Sequence, residues 1–576
     1  MISINSVSFR YPGSENWVLK EASVDIEQGE FTAIIGGNGA GKSTLCKTLN
    51  GLIPSYYVGD FEGTVMVDGL NAATTSVAVL SEKVAYVYQD FENQLVRPTV
   101  LDEAIFSPLN FGYPDYMERG REALRILGLS HLEKEHIWQL SGGQKHLVAL
   151  AGALSLQPEI LIIDEPVAQL DPAHATELYD KLKMLNEEYN KTIIVIEHHT
   201  EFIANYCSSV IMMEQGSVLW KKPVKYGLSL VEELMDKNIH PPQVTQAMFQ
   251  LKREQKPKLF PITVQEAKAE IQGKYEILPG PHLFSSQVSQ VKGVETISMD
   301  GVDYGYKTIT RKRKPIINEL SLTCYEGEKI ALVGSNGAGK STLLKMISGL
   351  VKPQGGSMLV NGQSTSKLSM EQLAEKVAYI YQNPEEMFIE DSIYKDIDYF
   401  LKARKIADRR EFIEEIIQRF HLEELRERDG RLLSGGQQRR ASLAIGIAMK
   451  PSIVLLDEPT ASLDIATRKD MMKMLNNLNG FVKTAIVATH DMELVAEWAS
   501  RVIVLKGGII LDDTTPHTLF SNPALLREAS LVAPQIVTLS KEVNMYPAAI
   551  TTEEFLSRVK QVGVGGGSVE CVSKAL

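Results

Sequence analysis

Short apolar runs without polar interruption recur along this chain in two matching sets. Residues 31–35, 160–163 and 192–196 of the first half are echoed by 329–333, 453–456 and 485–488 of the second. Such runs predict strands of a parallel sheet covered on both faces, where alternation is absent because neither face meets water. The first ten residues instead alternate apolar and polar, as a strand with one wet face does, and lack the charged-then-apolar profile of an export leader. Helical spacing follows the strands. Leu45, Leu49 and Leu52 share a face with Gly51 at an expected C-cap, and Leu147, Val148, Ala151 and Leu154 share another.

The duplication is sharper at the polar positions. Gly36-Gly37-Asn38-Gly39-Ala40-Gly41-Lys42-Ser43-Thr44 returns as Gly334-Ser335-Asn336-Gly337-Ala338-Gly339-Lys340-Ser341-Thr342, 298 residues later. Leu140-Ser141-Gly142-Gly143-Gln144 returns at 433–437 and Asp164-Glu165-Pro166 at 457–459, both offset by 293, while His198 returns as His490, offset by 292. The copies continue past these motifs: Leu230-Val231-Glu232-Glu233-Leu234 and Pro241-Pro242-Gln243-Val244 are echoed by Leu525-Leu526-Arg527-Glu528-Ala529 and Pro534-Gln535-Ile536-Val537. Residues 1–250 and 294–576 are therefore read as two domains, each with a C-terminal extension, and 251–293 as the linker. Pro257, Pro261, Pro279 and Pro281, with no sustained period, predict a tether holding one short helix near 264–272. The Gly-Gly-Gly of 565–567 predicts a frayed end.

Each motif has its chemistry. A Gly-x4-Gly-Lys-Ser loop between strand and helix cradles phosphate: its glycines turn backbone N–H groups inward, the helix N-terminus adds partial positive charge, Lys42 or Lys340 reaches the β/γ oxygens and Ser43 or Ser341 holds magnesium. Asp164 and Asp457 end apolar strands, where a carboxylate can hold a magnesium-bound water, and Glu165 and Glu458 can activate the water that attacks the γ-phosphate. Leu-Ser-Gly-Gly-Gln opens a helix and offers a second anion site through its hydroxyl, small residues and helix N-terminus. His198 and His490 follow strand-like runs and can touch the γ-phosphate at the sheet edge.

Composition adds exclusions. With 576 residues, 44% hydrophobic and 23% charged, the chain has the profile of an ordinary globular protein, and no run of about 18 apolar residues offers a membrane span. A net charge of −12 argues against a large nucleic-acid surface. Cys46, Cys207, Cys324 and Cys571 lie far apart without metal or redox spacing, which points to a reducing compartment. Arg311-Lys312-Arg313-Lys314 is the one basic run, either a solvated loop face or a contact for lipid head groups or a partner.

The Leu-Ser-Gly-Gly-Gln segment together with the phosphate loop, Asp-Glu-Pro and the downstream His resembles the ATP-binding cassette (ABC) family over nearly the whole chain. That resemblance implies an α/β fold of two P-loop ATPase domains, each with a mainly parallel core sheet, an antiparallel β subdomain and an α-helical signature subdomain. It implies ATP and Mg2+ as cofactors, and an intramolecular head-to-tail dimer with composite sites. One would join Gly36, Asn38, Gly39, Gly41, Lys42, Ser43, Thr44, Gln89, Asp164, Glu165 and His198 to Ser434 and Gly436. The other would join Gly334, Asn336, Gly337, Gly339, Lys340, Ser341, Thr342, Gln382, Asp457, Glu458 and His490 to Ser141 and Gly143. Ser43, Gln89, Asp164, Ser341, Gln382 and Asp457 would be the Mg2+ positions. Tyr11 and Tyr306 resemble the aromatic that stacks on adenine, with burial in the core as the other reading and Tyr304 as a rival; Leu170-Asp171 and Leu463-Asp464 resemble the D-loop.

Segments after the Q-loop glutamines narrow the type. Gln89-Asp90-Phe91-Glu92-Asn93-Gln94, without Asn-Pro, and Gln382-Asn383-Pro384-Glu385-Glu386-Met387, without the final Gln, each resemble in part the Gln-Asn-Pro-acid-x-Gln pattern of energy-coupling factor ATPases, and Ile105-Phe106-Ser107-Pro108-Leu109-Asn110, which the second copy lacks, resembles their Ala-Phe-Gly-Pro-x-Asn segment. The expectation is a peripheral ATPase on the cytoplasmic face of the membrane. It would drive uptake of a vitamin, metal ion or other micronutrient through an integral-membrane scaffold and a separate substrate-binding membrane protein. Phe91, Leu95, Phe388 and Ile389 are expected to receive the scaffold's helices. A tandem-cassette translation factor and the motor of another importer class are the alternatives; the former usually carries a basic helical arm between its cassettes, which this sequence lacks.

Overall fold

The fold is a computed structural model that describes residues 2–167, 170–253, 255, 257–280, 293–307, 313–403, 406, 409–460, 465–478 and 482–562. They form two compact units, one reaching Glu276 and including 559–562, the other spanning Ile277–Arg558.

In the first unit the central sheet runs in the order Ser217–Pro223, Ser209–Glu214, Phe31–Ile35, Thr192–Ile196, Ile160–Asp164, Val84–Val87. All neighbours are parallel except the hairpin of the first two. Phe31, Ala33 and Ile35 face one core with Leu147, Val148 and Leu150, while Ile34 faces another with Ile2, Ile4 and Phe9. Both faces of the strand are therefore dry, which accounts for its unbroken apolar run. The second core lies under an antiparallel sheet ordered Leu19–Ile26, Ile2–Arg10, Asp60–Val67, Leu70–Asn71. The first lies under helices that include Val100–Asn110, Tyr116–Ile126 and Gly142–Leu154.

The second unit repeats the plan. Its central sheet is Val377–Ile380, Ile453–Asp457, Thr484–Ala488, Lys329–Val333, Arg501–Lys506, Ile509–Thr514, and its antiparallel sheet is Arg313–Tyr325, Glu295–Lys307, Gly355–Val360, Gln363–Ser364. The helix after the first phosphate loop, Lys42–Leu49, stops one residue before the expected glycine, at Asn50. Gly51 has φ 73°, and a Cβ there would meet Leu80 Cδ1 at 2.6 Å. Leu52 opens a separate short turn, Leu52–Ser55, and does not continue the buried face of Leu45 and Leu49.

The region expected to be a tether is largely packed. Phe260 and Ile262 are buried, Thr245 Oγ1 donates to Pro261 O at 2.7 Å, and Lys252 pairs with Glu270. Thr263 caps the helix Val264–Ile271, and Glu266 Oε2 accepts the Ile262 N–H at 2.9 Å. The second unit uses the same device: Thr551 caps Thr552–Ser557, and Glu554 Oε2 accepts the Ile550 N–H at 2.9 Å. The repeated extension thus runs on past residue 250 into the stretch read as a linker. Leu463, Asp464, Arg311, Lys312, Cys571 and the 565–567 glycines lie outside the described residues. Arg313 and Lys314 are exposed, and Cys46, Cys207 and Cys324 are buried thiols. Among the described residues no helix is long and apolar enough to cross a membrane.

Candidate active sites

Each phosphate loop leaves the end of a central strand and enters a helix at a left-handed glycine, Gly41 at φ 95° and Gly339 at φ 107°. Gly36 and Gly334 are glycines for a second reason: a Cβ would meet Met213 O at 2.4 Å or Leu505 O at 2.2 Å. The loop tips, Asn38-Gly39 and Asn336-Gly337, are exposed, whereas Thr44 and Thr342 are buried on the helix. Lys42 Nζ donates to Gly36 O at 2.8 Å and Gly37 O at 3.0 Å; Lys340 Nζ donates to Gly334 O at 2.7 Å and Ser335 O at 3.2 Å. Each ammonium is thus held across its own loop, in the hollow where phosphate oxygens would be cradled.

The two strand-end aspartates stand beside these loops. Ser43 hydrogen-bonds Asp164 and Ser341 hydrogen-bonds Asp457. Tyr86 Oη donates to Asp164 Oδ2 at 2.8 Å, and Tyr379 Oη to Asp457 Oδ2 at 2.8 Å. Burial raises both carboxyls above their ordinary value, against the pull of these hydrogen bonds and of the lysines. Asp457 Oδ1 is buried without a hydrogen-bond partner among the described residues. An orphaned carboxylate oxygen next to a serine hydroxyl fits a hard, oxygen-seeking cation such as Mg2+. The tyrosines were not singled out from sequence, although Tyr86 and Tyr379 repeat at the 293-residue offset of the motifs.

Glu165 and Glu458 follow directly and are brought to the histidines. Both have φ 49°, a left-handed conformation that L side chains rarely adopt. Glu165 N donates to Ile196 O and Glu458 N to Ala488 O, each at 2.9 Å, which pins that backbone to the next strand. In the first unit Gln89 Nε2 donates to Glu165 Oε2 at 2.7 Å, and His198 Nε2 lies 3.4 Å from Oε1. In the second, His490 Nδ1 lies 2.9 Å from Glu458 Oε2, which also receives the His490 N–H at 3.3 Å. Gln382 is exposed just beyond Val377–Ile380. Burial would raise the Glu165 carboxyl, but the His198 hydrogen bond and the charges of His198 and Lys42 outweigh it and hold the group below its usual range. Burial would lower the His490 imidazole, but Glu458 outweighs it and raises the group.

The signature segments cap helices. Ser141 N donates to Gln144 Oε1 at 3.0 Å and Gln144 N to Ser141 Oγ at 3.3 Å; Ser434 N donates to Gln437 Oε1 at 3.1 Å. Both serines are exposed. Gly143 packs so closely that a Cβ would meet His174 Cδ2 at 2.6 Å, and one on Gly436 would meet Thr467 Cγ2 at 2.4 Å. Tyr11 is partly buried, edge-on to Phe9 at 4.8 Å. Tyr306 is 44% exposed, in a T-shaped contact with Tyr304 at 5.1 Å. Leu170 and Asp171 are buried.

The apolar residues behind the Q-loops divide differently from expectation. Phe91 and Phe388 belong to the cores and Leu95 packs against one, because the 3-10 turns Phe91–Gln94 and Pro384–Met387 fold inward over the signature helices. Ile389 remains outside with its neighbour in role, Val96, at 51% and 60% exposed.

A family model described as "ABC transporter" matches residues 19–168 and 317–461. An ABC transporter ATP-binding protein of Enterococcus faecalis (strain ATCC 700802 / V583) is 33% identical over 98% of this chain and 99% of its own length. Another from Caldanaerobacter subterraneus subsp. tengcongensis is 33% identical over 97% and 99%. Among solved structures, cbiO1 from Clostridium perfringens, part of the ABC transporter complex cbiONQ, is 31% identical over 43% of this chain and 98% of its own, with a TM-score of 0.38. With two matched cassette regions and relatives that align along nearly their whole length, the chain belongs to the ABC transporter ATP-binding proteins and hydrolyses ATP.

Proposed function

We propose that this chain is the motor of an energy-coupling factor type importer of a vitamin, metal ion or other micronutrient. ABC ATPases pair with a membrane transporter component; here that component would be a separate scaffold, working with a further membrane protein that chooses the solute. The observation that carries the reading is that each unit gathers lysine, serine, aspartate, glutamate and histidine at one sheet edge, with an energy-coupling-like segment directly after its glutamine.

Glu165 and Glu458 would act as general bases on water, with His198 and His490 reaching the γ-phosphate and Gln89 and Gln382 the metal. Ser43, Asp164, Ser341 and Asp457 would hold Mg2+, which supplies charge neutralisation at the phosphates. Tyr11 and Tyr306 would stack on adenine. Head-to-tail closure would bring Ser434 and Gly436 to the Lys42 site, and Ser141 and Gly143 to the Lys340 site. Val96 and Ile389, exposed beside the Q-loop turns, would meet the scaffold's helices.

Fractionation of the native cell tests this. The chain should be found at the cytoplasmic face of the membrane and leave in detergent with an integral protein. ATP-dependent sedimentation with ribosomes, and none with membranes, would favour the translation-factor reading.

A further inference from the structure

Behind each signature turn lies the helix that follows the D-loop. In the first unit it is Pro172–Glu187, capped by Asp171, whose Oδ1 accepts the His174 N–H at 3.1 Å. His174 is the side chain pressed against Gly143. Further along, Tyr179 is fully buried, stacked on Phe202 with ring centroids 4.7 Å apart, and its hydroxyl donates to Glu197 Oε2 at 2.8 Å. Glu197 is itself only 2% exposed, and its other oxygen accepts the N–H of His198 at 2.8 Å and of His199 at 2.9 Å. The buried carboxylate is therefore satisfied by one phenol from the helix and two amides from the histidine loop.

The second unit makes the same connection with other atoms. Met472 stands where Tyr179 does and Thr489 where Glu197 does; Thr489 Oγ1 still accepts the Asp491 N–H at 2.9 Å, but Met472 offers it no hydroxyl from the helix. Instead Arg468, on the helix Ile465–Asn477, grips Asp491 through Nε to Oδ2 at 2.9 Å and Nη2 to Oδ1 at 3.1 Å. Asp491 directly follows His490, and Arg468 directly follows Thr467, the residue pressed against Gly436. The first unit has Ala175 and His199 at those two positions. Each half lacks both members of the other's pair and has both of its own.

We infer that Tyr179 and Glu197 are positioning residues for His198, that Arg468 and Asp491 position His490, and that each helix behind a signature turn sets the histidine of its own unit. The inference rests on the role proposed above for the histidines. Displacement of the helix would move a chain of short hydrogen bonds that ends on the His198 and His199 amides in one unit and on the Asp491 carboxylate beside His490 in the other. Misplacement of such a group by about 1 Å can cost as much as a hundredfold in rate.

The test uses the full chain carrying Glu458→Gln, with protein in excess over ATP, so that one turnover of the first site is read. Tyr179→Phe and Glu197→Ala should each slow that turnover about five- to tenfold while ATP affinity stays within about twofold. The double variant should be no slower than Glu197→Ala alone, because both act through one linkage. Glu197→Gln, whose amide oxygen can accept the same two N–H groups, should recover most of the rate. Losses that multiply, a loss seen only in affinity, or no recovery with Gln would overturn the inference. In a [15N]histidine-labelled chain, the His198 and His199 amide signals should move in Tyr179→Phe; a folded variant with both unmoved would also overturn it. His198→Ala separates the two claims. Full hydrolysis by it removes the role of His198, whereas a slow His198→Ala beside unaffected Tyr179→Phe and Glu197→Ala variants removes only the positioning.

Discussion

His146 of the first signature helix lies flat against Phe91 of the Q-loop turn, with ring centroids 4.4 Å apart and planes 16° from parallel. Neither ring nitrogen has a hydrogen-bond partner among the described residues, and burial lowers the imidazole to about 4. The neutral ring is the one that fits, because an imidazolium there would be a charge with no counter-ion in contact.

The consequence is a pH term in stability. The folded value lies below the ordinary 6.5, so the unfolded chain takes up the proton first as pH falls. This contribution is whole above about pH 6.5, declines through the window down to about 4, and amounts at most to about 3 kcal/mol. His146→Phe keeps a stacked ring and removes the proton site. Its first unit should therefore lose less stability than wild type between pH 7 and 4.5, measured by unfolding midpoints. Equal losses in the two proteins would refute the assignment.

Turnover should depend on the paired glutamates. Glu165→Gln together with Glu458→Gln should lower steady ATP hydrolysis about a hundredfold or more, the usual cost of losing a general base, with ATP still bound. Hydrolysis above roughly one tenth of wild type would contradict the role. The single variants should differ from each other, because His198 approaches through Nε2 at 3.4 Å and His490 through Nδ1 at 2.9 Å. Equal single-variant rates would argue against that difference mattering.

The proposed head-to-tail assembly predicts damage in the opposite half. Ser434→Arg should reduce photolabelling by an ATP analogue at the Lys42 loop more than at the Lys340 loop. The reverse pattern would rule out head-to-tail assembly.

The central strands and both phosphate loops were legible because burial on two faces and a cradle for an anion each leave a local signature. Residues 31–35 and 329–333 became the strands Phe31–Ile35 and Lys329–Val333 without change of bounds. The packed extension was not legible in the same way. Its buried residues, Phe260, Ile262, Ala267, Ile271 and Tyr275, follow no single period because they belong to a loop, a helix and a strand in turn. One signal was available: Thr263-Val264-Gln265-Glu266 and Thr551-Thr552-Glu553-Glu554 both have the spacing of a capping box. Phe91 and Phe388 were read as docking residues since an apolar residue beside a polar loop looks the same in sequence whether the turn folds inward or outward. The Tyr179–Glu197 and Arg468–Asp491 pairs join residues 18 and 23 positions apart, a separation that only the folded sheet edge closes.

Glu165 and Glu458 occupy a backbone conformation at φ 49° that glycine adopts at no steric cost. Replacement of either by glycine would relax the chain while removing its carboxylate. That relief would come with the loss of the carboxylate that Gln89 and His198 meet in one unit and His490 in the other. A strained residue kept with its carboxylate at the same place in both halves fits the proposal that each carboxylate is there for chemistry.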